Sequence, residues 1–185
     1  MKANVRGDGA RQGIRVARQV IGESMRLLAD DAHAYIFCHW ESWPDFYDAC
    51  SSYLSIKNAM IWHKDRGGMG DTEMEYARDY EVALYGVCTK RRPLDGRRDG
   101  AVLTGFPPVQ SSKRVHPTEK PVALMSYLIG KSCPEGGLVI DPFAGSGPVG
   151  EAAASMGRRA ILIELEESYC EAAANRLDQQ VLFRG

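Results

Sequence analysis

The chain has 185 residues, 44% of them hydrophobic and 25% charged, with a formal net charge of −1, which suits one globular domain or one domain with a small appendage. No apolar run approaches the roughly 20 residues needed to span a bilayer, and the N-terminus "MKANVRGDGARQGIRVARQV" lacks the continuous apolar core of a signal peptide. Cys38, Cys50, Cys88, Cys133 and Cys170 are odd in number and never form a C-x-x-C pair, so they read as reduced thiols of a cytoplasmic protein, with no disulfide framework and no metal site.

Ile14, Ala17, Ile21, Met25 and Leu28 recur at helical spacing and predict an amphipathic helix over Gly13–Ala29. "AYIFC" (Ala34–Cys38) reads as a short buried strand, and Phe46–Ser52 as a helix after Pro44. Ile56–Lys64 and Tyr80–Cys88 read as strands on either side of the glycine-rich "RGGMGD". Thr89–Val115 shows no periodicity and reads as a long loop, the kind that more often carries function than decoration.

Pro121 opens a helix that continues to Ile129, since proline suits a first helical turn. "GLVID" (Gly137–Asp141) is a strand, Val149–Met156 a helix stopped by Gly157, and "AILIE" (Ala160–Glu164) a strand. A helix over Glu166–Leu177 and a last strand at "QVLF" (Gln180–Phe183) complete the chain. Alternating strands and helices in this half imply a parallel sheet, hence an α/β fold.

Charge is unevenly placed. Seven Lys/Arg stand against two Asp between Lys90 and Arg114, whereas Glu135–Gly185 carries eight acids against four Arg. A basic loop beside an acidic half points to a polyanionic partner, against the alternative of a merely solvated loop. Trp40, Trp43 and Trp62 are expected to pack inside rather than stack on bases.

The chemistry concentrates in "VIDPFAGSGPVGEAA" (Val139–Ala153). Gly145 and Gly147 follow a strand ending in Asp141, so the backbone can approach a ligand closely and the next helix offers unpaired N–H groups. About twenty residues on, Glu164 ends the next strand, where an acid can accept hydrogen bonds from both hydroxyls of a ribose. The turn G-S-G-P-V-G formally fits a dinucleotide fingerprint through Gly150, while a phosphate loop is excluded because no Lys-Ser/Thr follows.

"DPFAGSG", followed by "IELEESYCEAAANRL" and preceded by "HPTEKP" (His116–Pro121), resembles the S-adenosylmethionine-dependent DNA methyltransferases that modify exocyclic amino groups (adenine N6 or cytosine N4). "NAMIWHKDRGGMGD" and "YEVALYG" match that family's middle strands more loosely, so the resemblance extends from about Gly13 onward. It implies a Rossmann-like fold with a mostly parallel sheet and helices on both faces, in the family's circularly permuted group, with the strands absent after Phe183 supplied before Lys90. A single domain is expected: residues 1–88 as the remainder of the catalytic half, 89–115 as a basic DNA-contact loop, and 116–185 as the cofactor half.

The resemblance further implies that Asp141, Phe143, Gly145, Ser146 and Gly147 line the methionine and nucleoside parts of the cofactor. Glu164 would hold the ribose, and His116, Thr118, Glu119 and Lys120 would lie beside the methionine end, with Lys120 pairing with its carboxylate. Pro148 stands where the family usually has threonine. Arg91, Arg92, Arg97, Arg98, Lys113 and Arg114, with Lys90, are the candidate contacts to phosphates of double-stranded DNA.

Family members hold the target amino group with an Asp/Asn/Ser-Pro-Pro-Tyr/Phe turn. The only Pro-Pro here, Pro107-Pro108 in "GFPPVQ", has neither the polar acceptor nor the aromatic, and "SWPDFYD" (Ser42–Asp48) has the right residues in the wrong order. The catalytic residues are therefore unassigned, and Asp45, Tyr47 and His63 are given no role. The expectation is a chain missing its N-terminal catalytic strand and turn, and so a central strand, which a second chain or copy would supply. The alternative functions are a non-catalytic cofactor- or DNA-binding module, and a methyltransferase for small molecules or proteins, the last disfavoured by the basic loop and "HPTEKP".

Overall fold

The computed structural model describes residues 6–65, 73–74 and 76–181. They divide into two compact units, Met1–Pro93 with Asp99–Thr104, and Leu94–Arg98 with Gly105–Gly185. Among the described residues, no helix is long and apolar enough to cross a membrane.

The first unit opens with α1 (Arg6–Ser24), which starts earlier than the apolar spacing suggested and ends earlier as well. Its final turn loosens but keeps the stripe aligned through bonds from Met25 N to Ile21 O and from Leu28 N to Ser24 O. Ala17, in the middle of that stripe, is buried, and α1 packs on α2 (Trp43–Ser51). The buried Ala49 and Cys50 lie on α2, which rests on β2 (Ser55–His63) and β3 (Tyr80–Val87). "RGGMGD", between these two strands, lies outside the described residues.

β3 is the centre of a four-stranded sheet ordered β1-β3-β2-β4, with β1 spanning His33–Cys38 and β4 Val102–Leu103. β1 and β2 both pair antiparallel to β3, and β4 joins β2 in parallel through Ile61 opposite Val102 and Trp62 opposite Leu103. β3 reads as a continuous apolar run because it is buried on both faces: Val82, Ala83, Leu84 and Tyr85 are all inaccessible. The parallel order expected of the C-terminal half does not extend here, and this sheet is mixed.

Thr89–Val115 is not wholly a loop, because Val102–Leu103 is a strand whose Leu103 is buried and Ser111–Lys113 is a single 3-10 turn. Two ladder pairs leave no periodicity long enough to recognise. Trp62 is buried as expected, but Trp40 and Trp43 are 48% and 38% exposed. Trp43 sits in the first turn of α2, and its ring meets Tyr47 edge-on at 6.2 Å rather than entering the sheet.

All five cysteines are free thiols. Burial pushes Cys38 and Cys50 up to about 11, which keeps them protonated and unreactive at neutral pH.

The second unit runs α3 (Val122–Ser132), β5 (Leu138–Asp141), α4 (Pro148–Ser155), β6 (Arg159–Leu162) and α5 (Glu167–Val181). β5 and β6 pair in parallel with Asp141 opposite Leu162, as the alternation predicted. α4, the crossover between them, packs on α3, β6 and α5. Among the described residues β5 has a strand partner on one side only. The expected last strand at Gln180 is absent, because α5 continues through Val181; Gln179 and Gln180 are good helix formers and no Gly or Pro stops the helix after Leu177. Leu182 and Phe183 lie outside the described residues.

Leu84 is fully buried in the central strand of the first unit. Leu84→Ala is expected to lower unfolding free energy by about 2–5 kcal/mol, measured by chemical denaturation; a loss below ~1 kcal/mol would place the stabilising core elsewhere.

Candidate functional site

The site is built where β5 ends. Because Asp141 faces Leu162, the two chains leave the ladder level and remain stitched: Ile163 N–H donates to Asp141 O at 2.9 Å, and Ala144 N–H to Ile163 O at 3.0 Å. The next amide, Gly145 N–H, donates to Glu164 Oε2 at 2.7 Å, while Glu164 Oε1 accepts from Leu165 N at 2.8 Å and Glu166 N at 3.0 Å. The Glu166 N–H, with those of Gly145 and Leu165 and the nearby His116, holds Glu164 below the ordinary carboxylate range against the opposing pull of burial. Glu164 is thus ionised, fixed in place, two residues beyond the end of β6, and still has acceptor capacity.

Asp141 is its opposite. Burial pushes its carboxyl above the ordinary value of 3.8, and the Glu164 charge adds to this. Phe143 N–H, bonded to Oδ1 at 3.1 Å, and the Lys120 charge offset only part. A cationic group beside Asp141 would relieve the strain, so the position is suited to an ammonium.

The turn that follows requires its glycines. Gly145 and Gly147 have φ of 51° and 80°, in the left-handed region. A side chain on Gly145 would meet the His116 ring at 3.2 Å, and one on Gly147 would lie 2.9 Å from Ala173 Cβ. Gly147 is the N-cap of α4, which starts at Pro148, one residue before the helix expected from Val149; proline suits a first helical turn. Between the glycines Ser146 is 1% exposed and its hydroxyl has no hydrogen-bond partner among the described residues, whereas Phe143 stands 59% exposed beside the turn. An unsatisfied buried hydroxyl and an uncovered aromatic ring are the marks of a place shaped for a ligand.

The "HPTEKP" segment closes over this turn. The His116 ring lies against Gly145 and meets Tyr169 of α5 edge-on at 4.5 Å. Its Nδ1 lies 3.3 Å from Thr118 N and 3.2 Å from Thr118 Oγ1, which ties the ring to its own loop. Lys120 Nζ donates to Thr118 O at 3.1 Å. Glu119, by contrast, points away from the turn into the protein and binds Arg176 of α5 at 2.5 Å.

Residues 8–175 match the profile of a DNA methylase family that comprises N6 and N4 methyltransferases. The chain belongs to this family. Among curated relatives, it is 49% identical over 156 residues to the putative methylase YubD of Escherichia coli K12, covering 84% of this chain and 66% of that protein. It is 27% identical over 192 residues to the DNA adenine methyltransferase YhdJ of the same organism, covering 86% and 65% respectively. The chain thus spans slightly under two thirds of both relatives. Among solved structures, a complex of M1.HpyAVI with S-adenosylmethionine superposes with a TM-score of 0.77 at 26% identity, covering 87% of this chain and 81% of that one. The fold is accordingly the α/β, Rossmann-like fold of the cofactor-dependent DNA methyltransferases.

In this chain, every residue read as cofactor-binding falls within the second unit: His116, Thr118, Lys120, Asp141, Phe143, Gly145, Ser146, Gly147 and Glu164. The basic residues are more scattered. Arg91 and Arg92 belong to the first unit, and Arg97, Arg98, Lys113 and Arg114 to the second. Arg114 donates to Pro117 O at 2.9 Å and Val109 O at 3.0 Å, so it braces its own loop, and Lys90 is paired with Asp30 at 2.7 Å. Sequence reasoning missed Tyr169, Ala173 and Arg176. They sit at i, i+4 and i+7 on one face of α5 and touch His116, Gly147 and Glu119 in turn. The signal was a helical stripe of mixed polarity, invisible to a search for apolar periodicity alone.

Gly147→Ala must place a side chain in the left-handed region, at about 1–3 kcal/mol, and press it against Ala173. Denaturant unfolding should show at least that loss. Adding Ala173→Gly should recover the crowding component and leave the dihedral component; full recovery would show the backbone conformation to be unimportant.

Proposed function

We propose that the protein is an S-adenosylmethionine-dependent DNA methyltransferase acting on the exocyclic amino group of adenine (N6) or cytosine (N4), and that its second unit binds the cofactor. The observation that carries this reading is the stitched turn at the end of β5. One carboxylate, Glu164, is held ionised by backbone amides, and a second, Asp141, is buried with its charge incompletely compensated. Glu164 accepts the ribose hydroxyls, Asp141 faces the methionine ammonium, and Lys120 pairs with the carboxylate. Gly145 and Gly147 let the backbone approach the methionine, Ser146 supplies a hydroxyl from the turn, and Phe143 covers the nucleoside face. His116 and Thr118, locked to each other, form the wall at the methionine end.

The cofactor's sulfonium supplies an electrophilic methyl group. The residues of this chain orient it and shield it. The family's turn for holding the target amino group has no counterpart in these 185 residues, so that step is assigned to none of them. DNA affinity is assigned to Arg91, Arg92, Arg97, Arg98 and Lys113, with Arg114 shaping its loop, through phosphate contacts that position the duplex without reading sequence.

Calorimetry with S-adenosylmethionine tests the cofactor site. Glu164→Ala and Asp141→Asn should each weaken binding by roughly ten- to hundredfold, the equivalent of about 1.5–3 kcal/mol for a lost charged partner. Because the folded pKa of Asp141 is raised, affinity should fall as pH drops into a range above 3.8, and Asp141→Asn should abolish that dependence. Unchanged affinity in both variants would remove them from the site.

Binding to duplex DNA tests the basic residues. Replacing Arg91, Arg92, Arg97 and Arg98 with Ala should weaken all sequences alike and flatten the slope of log K against log salt. An unchanged slope would show that these side chains make no phosphate contacts.

A further inference from the structure

Glu119 is the one charged residue of the His116–Lys120 segment that turns inward: its side chain is 3% exposed. One oxygen, Oε2, gathers two backbone donors of its own loop, Val115 N at 3.0 Å and His116 N at 3.3 Å, while Glu119 N–H returns to His116 O at 3.1 Å. The other, Oε1, accepts from Arg176 Nη2 at 2.5 Å. Arg176 in turn reaches Glu151 Oε2 on α4 with Nε at 3.5 Å. A single carboxylate therefore joins the loop to α5, and the guanidinium joins both to the helix that begins at the glycine turn.

We propose that Glu119 and Arg176 are positioning residues for the amino-acid end of the cofactor, setting the place of His116 and Lys120 without touching the ligand. This rests on the reading that the loop lies at the methionine end. The geometry demands a carboxylate: both ends of the Glu119 side chain accept hydrogen bonds, and an amide can accept at only one. Glutamine at this position must turn its NH2 either toward Arg176 or toward the Val115 and His116 amides, setting donor against donor. The loop then loses either its own closure or its anchor on α5. Glu164 keeps its bonds from the Gly145, Leu165 and Glu166 amides in either case, so the ribose end of the site is left intact.

The discriminating experiment compares two ligands, S-adenosylhomocysteine, which carries the amino-acid end, and 5′-methylthioadenosine, which lacks it. Calorimetry on Glu119→Gln, well below its melting temperature, should show affinity for the first falling by roughly ten- to hundredfold and affinity for the second staying within about twofold. Arg176→Lys keeps the charge but reaches Glu119 and Glu151 with a point donor instead of a fork. It should show a smaller loss with the same restriction to the amino-acid end, and it reads the effect if Glu119→Gln is too unstable to assay. Equal losses for both ligands, or no loss for either, overturn the inference by showing a purely structural pair. A wild-type protein that binds neither ligand overturns the cofactor reading and this inference with it.

Discussion

The register of β5 on β6 is the constraint from which the rest of the site follows. With Asp141 opposite Leu162, two parallel strands end level, and their outgoing segments must share the same narrow space. The chain resolves this by continuing the ladder past both strands through Ile163 and Ala144, and then by substituting a side-chain carboxylate, Glu164, for the next backbone carbonyl. The reversal that comes next, at Gly145 and Gly147, takes the left-handed conformation that glycine adopts without penalty. The close approach of His116 to Gly145 and of Ala173 to Gly147 then depends on those missing side chains.

Three acids of this unit, Glu164, Glu119 and Asp141, show how donors and burial divide the work. Glu164 and Glu119 are both held below the ordinary carboxylate range, the first chiefly by backbone amides, the second because Arg176 and two amides outweigh its burial. Asp141 is pushed the other way, since burial and the Glu164 charge outweigh a single amide and the Lys120 charge. A buried ion pair such as Glu119–Arg176 adds little net stability, because desolvation offsets most of the attraction, yet breaking it by removing one partner is expensive. Its value lies in fixing geometry.

Much of this was legible in the sequence, for identifiable reasons. Glycines after a strand-ending Asp are a local pattern that the structure obeys, whereas Glu164, expected to end the next strand, stands two residues beyond it. β3 was legible because an apolar run buried on both faces needs no partner to be recognised. Where the pattern was too short or depended on distant contacts, reading failed. Val102–Leu103 is a strand only because β2 offers an edge. Trp43 is exposed because the helix it opens turns it toward Tyr47. Glu119 and Arg176 are 57 positions apart, and nothing local in either segment announces the pairing.

The stripe on α5 has an evolutionary consequence. Tyr169, Ala173 and Arg176 each serve a different partner, and they do so together only because their spacing matches the helical repeat of 3.6 residues per turn. Inserting or deleting one residue between Tyr169 and Arg176 would rotate one end of the stripe by about 100° relative to the other and uncouple the contacts at its two ends. Exposed positions of the helix such as Glu171 can drift in identity with little effect, but this seven-residue interval cannot drift in length. Relatives that keep the loop and the glycine turn should therefore tolerate substitutions in this helix far more readily than gaps.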